Sequence, residues 1–418
     1  MNKHLRLFQT HAQYTSYING EDVYLPNVSY CNNENDVHYN PIDFSKQYLT
    51  TIARESGTIS FNIHQGADTD LITSISYSTD NGETWTTTAN QDNKSENLVI
   101  TVNVNAGDKV LWKGIAVTIS YMNYGKFSYF TSTCEFDAQG NVMSLCYGDN
   151  FIGQTTLNYT GQFAALFGAA MLGGNCSVVN AKDLSLPATT LANNCYLGMF
   201  RGCTSLTSAP ALPATTLADF CYASMFEGCT SLTSAPVLPA TTLASSCYYS
   251  MFQGCTSLVN APALPDTTLA DGCYSSMFSG CTSLTSAPEL PATTLAERCY
   301  YDMFWGCTSL TTTPVLSATT LASSCYERMF QGCTSLTSAP ELPATTLAER
   351  CYYQMFYGCS NLNYIKAMFT TTPSTTYTQN WVQGVAASGT FVKNAAATWN
   401  VTGVNGVPSG WTVQTASV

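Results

Sequence analysis

The chain has little charge and almost no histidine. Only 10% of its residues are Asp, Glu, Lys or Arg, and the four histidines are His4, His11, His38 and His64. The net charge is −12: residues 1–180 carry 8 basic and 16 acidic groups, residues 181–365 carry 5 and 11, and only Lys366 and Lys393 lie beyond. No segment has the basic face that phosphate neutralisation requires, so nucleic-acid binding is not expected. Runs of about 20 apolar residues are absent, which argues against a membrane-spanning helix. The opening MNKHLRLFQTHAQY lacks an apolar h-region and a small-residue cleavage site, so a secretory signal is not expected there. Catalytic signatures are missing too: there is no G-x-S-x-G elbow, no H-E-x-x-H and no phosphate-cradling glycine loop. No catalytic residue, metal ligand or cofactor is nominated, and the chain reads as a non-enzyme.

What the chain has in quantity is repetition. Cys195, Cys221, Cys247, Cys273, Cys299, Cys325 and Cys351 recur every 26 residues, and Cys203, Cys229, Cys255, Cys281, Cys307, Cys333 and Cys359 follow at the same step. Each copy reads ATTLA-xx-CY-xx-MF-x-GCTSLTSAP-x-LP with small departures. One copy cannot bury its apolar side chains alone, so the copies are expected to stack as a solenoid. Comparing the copies separates inside from outside. The Leu of TTLA, the Cys-Tyr pair, the Met-Phe pair and the Cys and Leu of GCTSL hardly vary, and these form the expected inward stack. Cys195, Cys203, Cys221, Cys229, Met225 and Phe226 are its representatives. Cys195, Met199 and Cys203 are four apart, which predicts one face of a short helical turn, with the Gly before the second Cys as its stop. Fourteen of the 18 cysteines are these two columns. Packed free thiols account for them; disulfides and metal are the alternatives, although no repeat holds a His to complete a zinc set.

The segment MF-x-GCTSL, as at Met225, Phe226, Cys229 and Leu232, resembles the A-F-x-x-C-x-x-L core of the BspA-like (Treponema-type) leucine-rich repeats. The units here are longer and add a proline in the extended arm (Pro210, Pro236, Pro262, Pro288, Pro314, Pro340). Lacking an N–H, that proline should shorten or interrupt the ladder between coils. The resemblance implies binding: adhesion at a bacterial surface, or recognition by proteins of phages that infect such bacteria. The short run LPNVSYC…NDVHYNP, between Leu25 and Pro41, resembles openings of virion proteins of phages of gut Bacteroidales.

The predicted fold class is mixed: an N-terminal arm (1–49), a small all-β sandwich (50–130), a connector with a degenerate first coil (131–190), a leucine-rich-repeat solenoid (191–359) and a β-rich C-terminal cap (360–418). In the arm, Leu25–Cys31 and Asp36–Pro41 read as two strands around an acidic turn, which is either solvated or a calcium site. Thr58–Ile63, Ile72–Tyr77, Leu98–Val104 and Val117–Tyr121 alternate with period two, as strands do. Between them, Ser78–Trp85 resembles the S-x-D-x-G-x-T-W box of sialidase propellers. As a fold element it is a hairpin in which Asp80 caps the turn, Gly82 takes positive φ and Trp85 packs beneath. In the connector, Phe163–Cys176 is the degenerate coil, with Met171-Leu172 in place of Met-Phe and Cys176 as the second Cys.

The freely varying positions should form outward stripes. One reads Leu197, Ala223, Tyr249, Ser275, Tyr301, Glu327, Tyr353; its neighbour reads Arg201, Glu227, Gln253, Ser279, Trp305, Gln331, Tyr357. Tyr301 with Trp305, and Tyr353 with Tyr357, are placed to pair at i, i+4. With Tyr249 they are the candidate binding residues, since exposed aromatics on a polar surface suit sugar rings or a protein partner; incidental surface or contact with another copy in a homo-oligomer is the plainer reading. The expected functions are a non-enzymatic phage virion accessory or fibre protein, attached to other virion proteins through the arm and binding bacterial-surface glycan or protein, or alternatively a BspA-like adhesin on the bacterial cell surface. A glycosidase would need a convergent carboxylate pair that nothing nominates.

Overall fold

The computed structural model describes residues 43–63, 72–89, 98–116, 120–121, 126–264 and 268–416. The arm strands, the acidic turn and residues 117–119 lie outside them.

Alternating residues set up two facing sheets. Strands β1 (Leu49–Ala53), β2 (Gly57–Ile63), β3 (Ile72–Ser78), β4 (Thr86–Ala89), β5 (Leu98–Val104) and β6 (Lys109–Ala116) are followed by the short pair β7 (Ser120–Tyr121) and β8 (Lys126–Phe127), then β9 (Tyr129–Ser132) and β10 (Phe136–Asn141). One sheet runs β10-β1-β6-β3-β4 and the other β5-β2-β9. In β5 the buried residues are Ile100, Val102 and Val104, and between them Thr101 and Asn103 are exposed. Trp112 of β6 meets Phe61 of β2 and Phe130 of β9 across the interior, at 6.1 and 5.2 Å between ring centroids.

Strand pairing extends these sheets past the expected boundary at residue 130. β10 pairs with β1 and then, in parallel, with β11 (Val178–Asn180) and β12 (Leu184–Ser185) of the connector. The reason is burial: Phe136 and Ala138 face the same apolar core as the repeats, and one continuous cluster runs from Leu49 to Trp411.

The repeats stack, but not as helical turns. In the third copy Ser246, Tyr248, Ser250, Phe252 and Gly254 donate backbone hydrogen bonds of 2.7–3.0 Å to Asp271, Cys273, Ser275, Met277 and Ser279 of the fourth. The intervening N–H groups, from Cys247 to Cys255, donate three residues back within the copy at 3.0–3.3 Å. Every second amide thus points along the stack and every other one closes a tight turn. The backbone permits this by entering the left-handed region every fourth residue, at Ser246 (φ 53°), Ser250 (φ 52°) and Gly254 (φ 72°). The four-residue spacing read as a helical face therefore belongs to a train of turns, and the Gly is its last left-handed residue instead of a helix stop.

Inside, the aromatics form two columns. The tyrosines from Tyr196 to Tyr352 lie 5.7–6.1 Å apart with planes within 12°. The phenylalanines from Phe200 to Phe356 lie 5.5–5.8 Å apart within 11°. These are offset-stacked distances. The columns begin on Phe163 and Phe167, which stack on Tyr196 and Phe200. Leu166-Phe167, not Met171-Leu172, therefore fills the Met-Phe place; Ala169–Leu172 is an inserted 3-10 turn. The Leu of TTLA is half-buried in copies such as Leu243 and Leu295. In the extended arm the copies touch through single parallel bridges such as Ser234–Asn260 and Asn260–Ser286. The C-terminal end carries a parallel sheet of β13 (Tyr364–Ala367), β14 (Thr390–Lys393) and β15 (Thr412–Thr415). Trp381 covers the last rings, 6.2 Å from Tyr352 and 6.1 Å from Phe356, and donates to Gly406 O.

Candidate functional site

Buried thiols line the stack. All seventeen described cysteines are free and buried. From Cys229 onward each second-column thiol donates to the Phe carbonyl of the preceding copy, as Cys229 to Phe200 O (3.2 Å), Cys255 to Phe226 O (3.1 Å) and Cys281 to Phe252 O (3.1 Å). Cys203 donates to Phe167 O in the same way. Burial pushes first-column thiols such as Cys195, Cys221 and Cys247 up to about 12, which keeps them protonated and unreactive. Met225 and Phe226 are fully buried beside them. Among the described residues no cluster of three or more His, Cys, Asp or Glu side chains could hold a metal ion.

The box in the sandwich is structural. Asp80 accepts from the Thr84 N–H at 2.9 Å and from the Ser78 hydroxyl at 2.7 Å, while Gly82 takes φ 93°. Hydrogen bonds from the Thr84 side chain and backbone hold the Asp80 carboxyl down at about 2. Trp85 is half-buried against Tyr48, with rings 5.0 Å apart, and the Lys113 ammonium sits 4.1 Å above its ring. Lys113 is itself paired to Asp149 at 2.8 Å.

The outward stripes behave less uniformly than their variability suggests. Tyr249 and Trp305 are 42% and 45% exposed, whereas Tyr301, Tyr353 and Tyr357 are half-buried. Ser275, Ser279 and Glu327 are buried. No ring contact joins Tyr301 to Trp305, or Tyr353 to Tyr357, among the described residues. Their partners are cations instead. The Arg328 guanidinium lies 4.7 Å over Tyr301 and the Arg350 guanidinium 4.1 Å over Tyr353.

Those arginines organise a network that the repeat pattern alone did not single out. Arg328 Nη2 donates to Asp302 Oδ2 at 2.9 Å, and its Nε lies 2.8 Å from Oδ1, an ion-pair contact too bent for a hydrogen bond. Arg350 grips both oxygens of the buried Glu327, with Nε 2.9 Å from Oε2. Burial first, and the nearby Glu327 carboxylate second, raise Asp302 to about 7. The hydrogen bonds to Glu327 raise Arg350, and burial lowers Arg328. The available signal was opposite charge at equivalent positions one step apart: Asp302 and Arg328 are separated by 26 residues. A second such pair, Arg201 with Glu227 at 2.6 Å, sits at the other end of the stack. The face formed by copies five to seven is thus polar, electrically balanced and held by backbone ladders, with one freely exposed indole. Such a surface can bind.

Repetition of this kind, with an invariant stacked interior and a varied outer face, defines a class of repeat protein. Residues 177–311 and 261–379 match the family model for the BspA type leucine rich repeat region, in six copies. The chain therefore carries BspA-type leucine-rich repeats across residues 177–379. No curated protein and no solved structure matches the chain.

Proposed function

We propose that this chain is a non-enzymatic adhesion protein whose repeat region, a solenoid, presents the outer face of copies five to seven to a surface ligand. The observation that carries the reading is the division of labour within each copy. Interior positions are held invariant by ring stacking and thiol hydrogen bonds, while Tyr301, Trp305, Tyr353 and Tyr357 are collected on a varied exterior. The BspA-type match supports a surface-adhesion role. Glycan or protein on a bacterial surface is the expected ligand class. Beads coated with the chain should be retained on intact bacterial cells, and joint replacement of the four aromatics by Ala should cut retention at least tenfold. Equal retention by the variant removes this face from the function. Placement on a phage virion is the second reading, favoured only by the run between Leu25 and Pro41, which lies outside the described residues. Mass spectrometry of purified virions, against surface labelling of intact cells, separates the two carriers.

A further inference from the structure

Trp305 differs from every other aromatic on the face. Tyr301 and Tyr353 have guanidinium groups over their rings, whereas among the described residues no cation lies over the indole of Trp305, which is 45% exposed. Its position along the stripe is rigid, because Gly280 N–H donates to Trp305 O and Gly306 N–H to Gln331 O, both at 2.7 Å. The neighbours along that stripe are Ser279, fully shielded, and Gln331, whose carbonyl oxygen is buried with no hydrogen-bond partner. Three residues before the tryptophan stands Asp302, ion-paired to Arg328.

Charge and shape decide between ligands. Asp302 is paired with Arg328 and Glu327 with Arg350, and with the Asp302 carboxyl raised to about 7 the four groups carry at most one net charge, too little to select an ionic ligand. A protein interface needs a contiguous apolar centre. Here Phe220, Val237, Val259 and Val315, also exposed, occupy different positions in the repeat, and the exposed Tyr249 lies two copies away from the indole. An exposed flat ring set among polar residues, with the Arg328 and Asp302 side chains 31% and 16% exposed, fits a molecule with one apolar ring face and a rim of hydroxyls.

We infer that Trp305, with Gln331 and the Asp302–Arg328 pair beside it, is a subsite for a neutral saccharide whose pyranose face lies on the indole. The inference rests on the adhesion reading and narrows it to a ligand class. Full-length protein is titrated calorimetrically with cellohexaose, maltohexaose and mannohexaose, alongside Trp305→Ala, Gln331→Ala and, as an exposed aromatic elsewhere in the repeat, Phe220→Ala. At least one hexasaccharide should bind, with affinity lowered tenfold or more by Trp305→Ala, about threefold by Gln331→Ala and not at all by Phe220→Ala. Trp305 is exposed, so unchanged thermal unfolding of its variant confirms that folding is intact. Binding by none of the three sugars, or equal binding by Trp305→Ala, overturns the subsite. If bead retention on cells still requires the four aromatics while no sugar binds, the ligand is a protein: the saccharide inference fails and the adhesion reading survives. If retention is also insensitive, both fail.

Discussion

Ser250 occupies the left-handed region at φ 52° and its buried hydroxyl has no hydrogen-bond partner. Both features disfavour a residue with a Cβ and a polar group. At the equivalent place in the first copy stands Gly198, with φ 56°. Ser250→Gly should therefore stabilise the fold by about 1 kcal/mol, after allowing for the extra freedom glycine has when unfolded; urea unfolding midpoints check it, and a lower midpoint would contradict the backbone account. Asp302 makes a separate, pH-dependent prediction. Its carboxyl is raised from 3.8 to about 7 in the folded chain, so between those values the folded state holds a proton that the unfolded state has released. Stability should then fall as pH rises through that window. Asp302→Asn should flatten that part of the curve, as measured by thermal unfolding at pH 4, 5, 6 and 7; an unchanged slope would place the titrating group elsewhere.

Elements differ in what they tolerate, and two glycines show it. Gly254, at φ 72°, closes a train of turns, and a Cβ there would meet Gly228 Cα at 3.7 Å and Gly228 N at 3.8 Å, ordinary contacts. Gly140, at φ 79° in β10, has Tyr48 O where a Cβ would come within 2.0 Å. Gly254→Ala should cost about 1 kcal/mol, the left-handed penalty alone. Gly140→Ala should cost about 3 kcal/mol or more, because backbone must move as well. Calorimetric melting of the two variants ranks them, and the reverse order would refute the packing of β10 against residue 48. Strands at this scale were legible where side chains alternate, as in β2, β3 and β5. The turn trains were not, since CY-xx-MF-x-GC has inward residues at intervals of four in either backbone. What separates them is the sign of φ at Ser246 and Ser250, which a serine does not announce. One charge pair was hidden for a related reason: Arg350 reaches Glu327 across 23 residues, off the 26-residue step that Asp302 and Arg328 keep.

At the scale of the molecule, the ring columns tie the parts together. Phe130 of the sandwich stacks on Phe167, Phe167 on Phe200, and the series continues to Phe356 beneath Trp381. Stacked repeats gain stability from their neighbours, so the terminal contacts guard the whole array. Trp381→Ala should cost about 3–5 kcal/mol, the usual range for emptying a large aromatic site. Hydrogen exchange should then rise first in the seventh copy and spread inward. Exchange rising first in the sandwich would show that the columns do not couple the ends. In the unaltered chain the shared core predicts one calorimetric transition for sandwich and repeats together.

The sequence alone determined the period, the identity of the interior and the existence of a varied exterior, because seven near-identical copies show directly which side chains a stack cannot exchange. Tertiary structure decided the backbone inside each copy, the reach of β10 into the connector and the pairing of Arg328 and Arg350 with carboxylates of other copies. Those outcomes depend on which amides and charges meet once the copies lie against each other. Contacts of that kind come from the stacking itself, and no single copy encodes them.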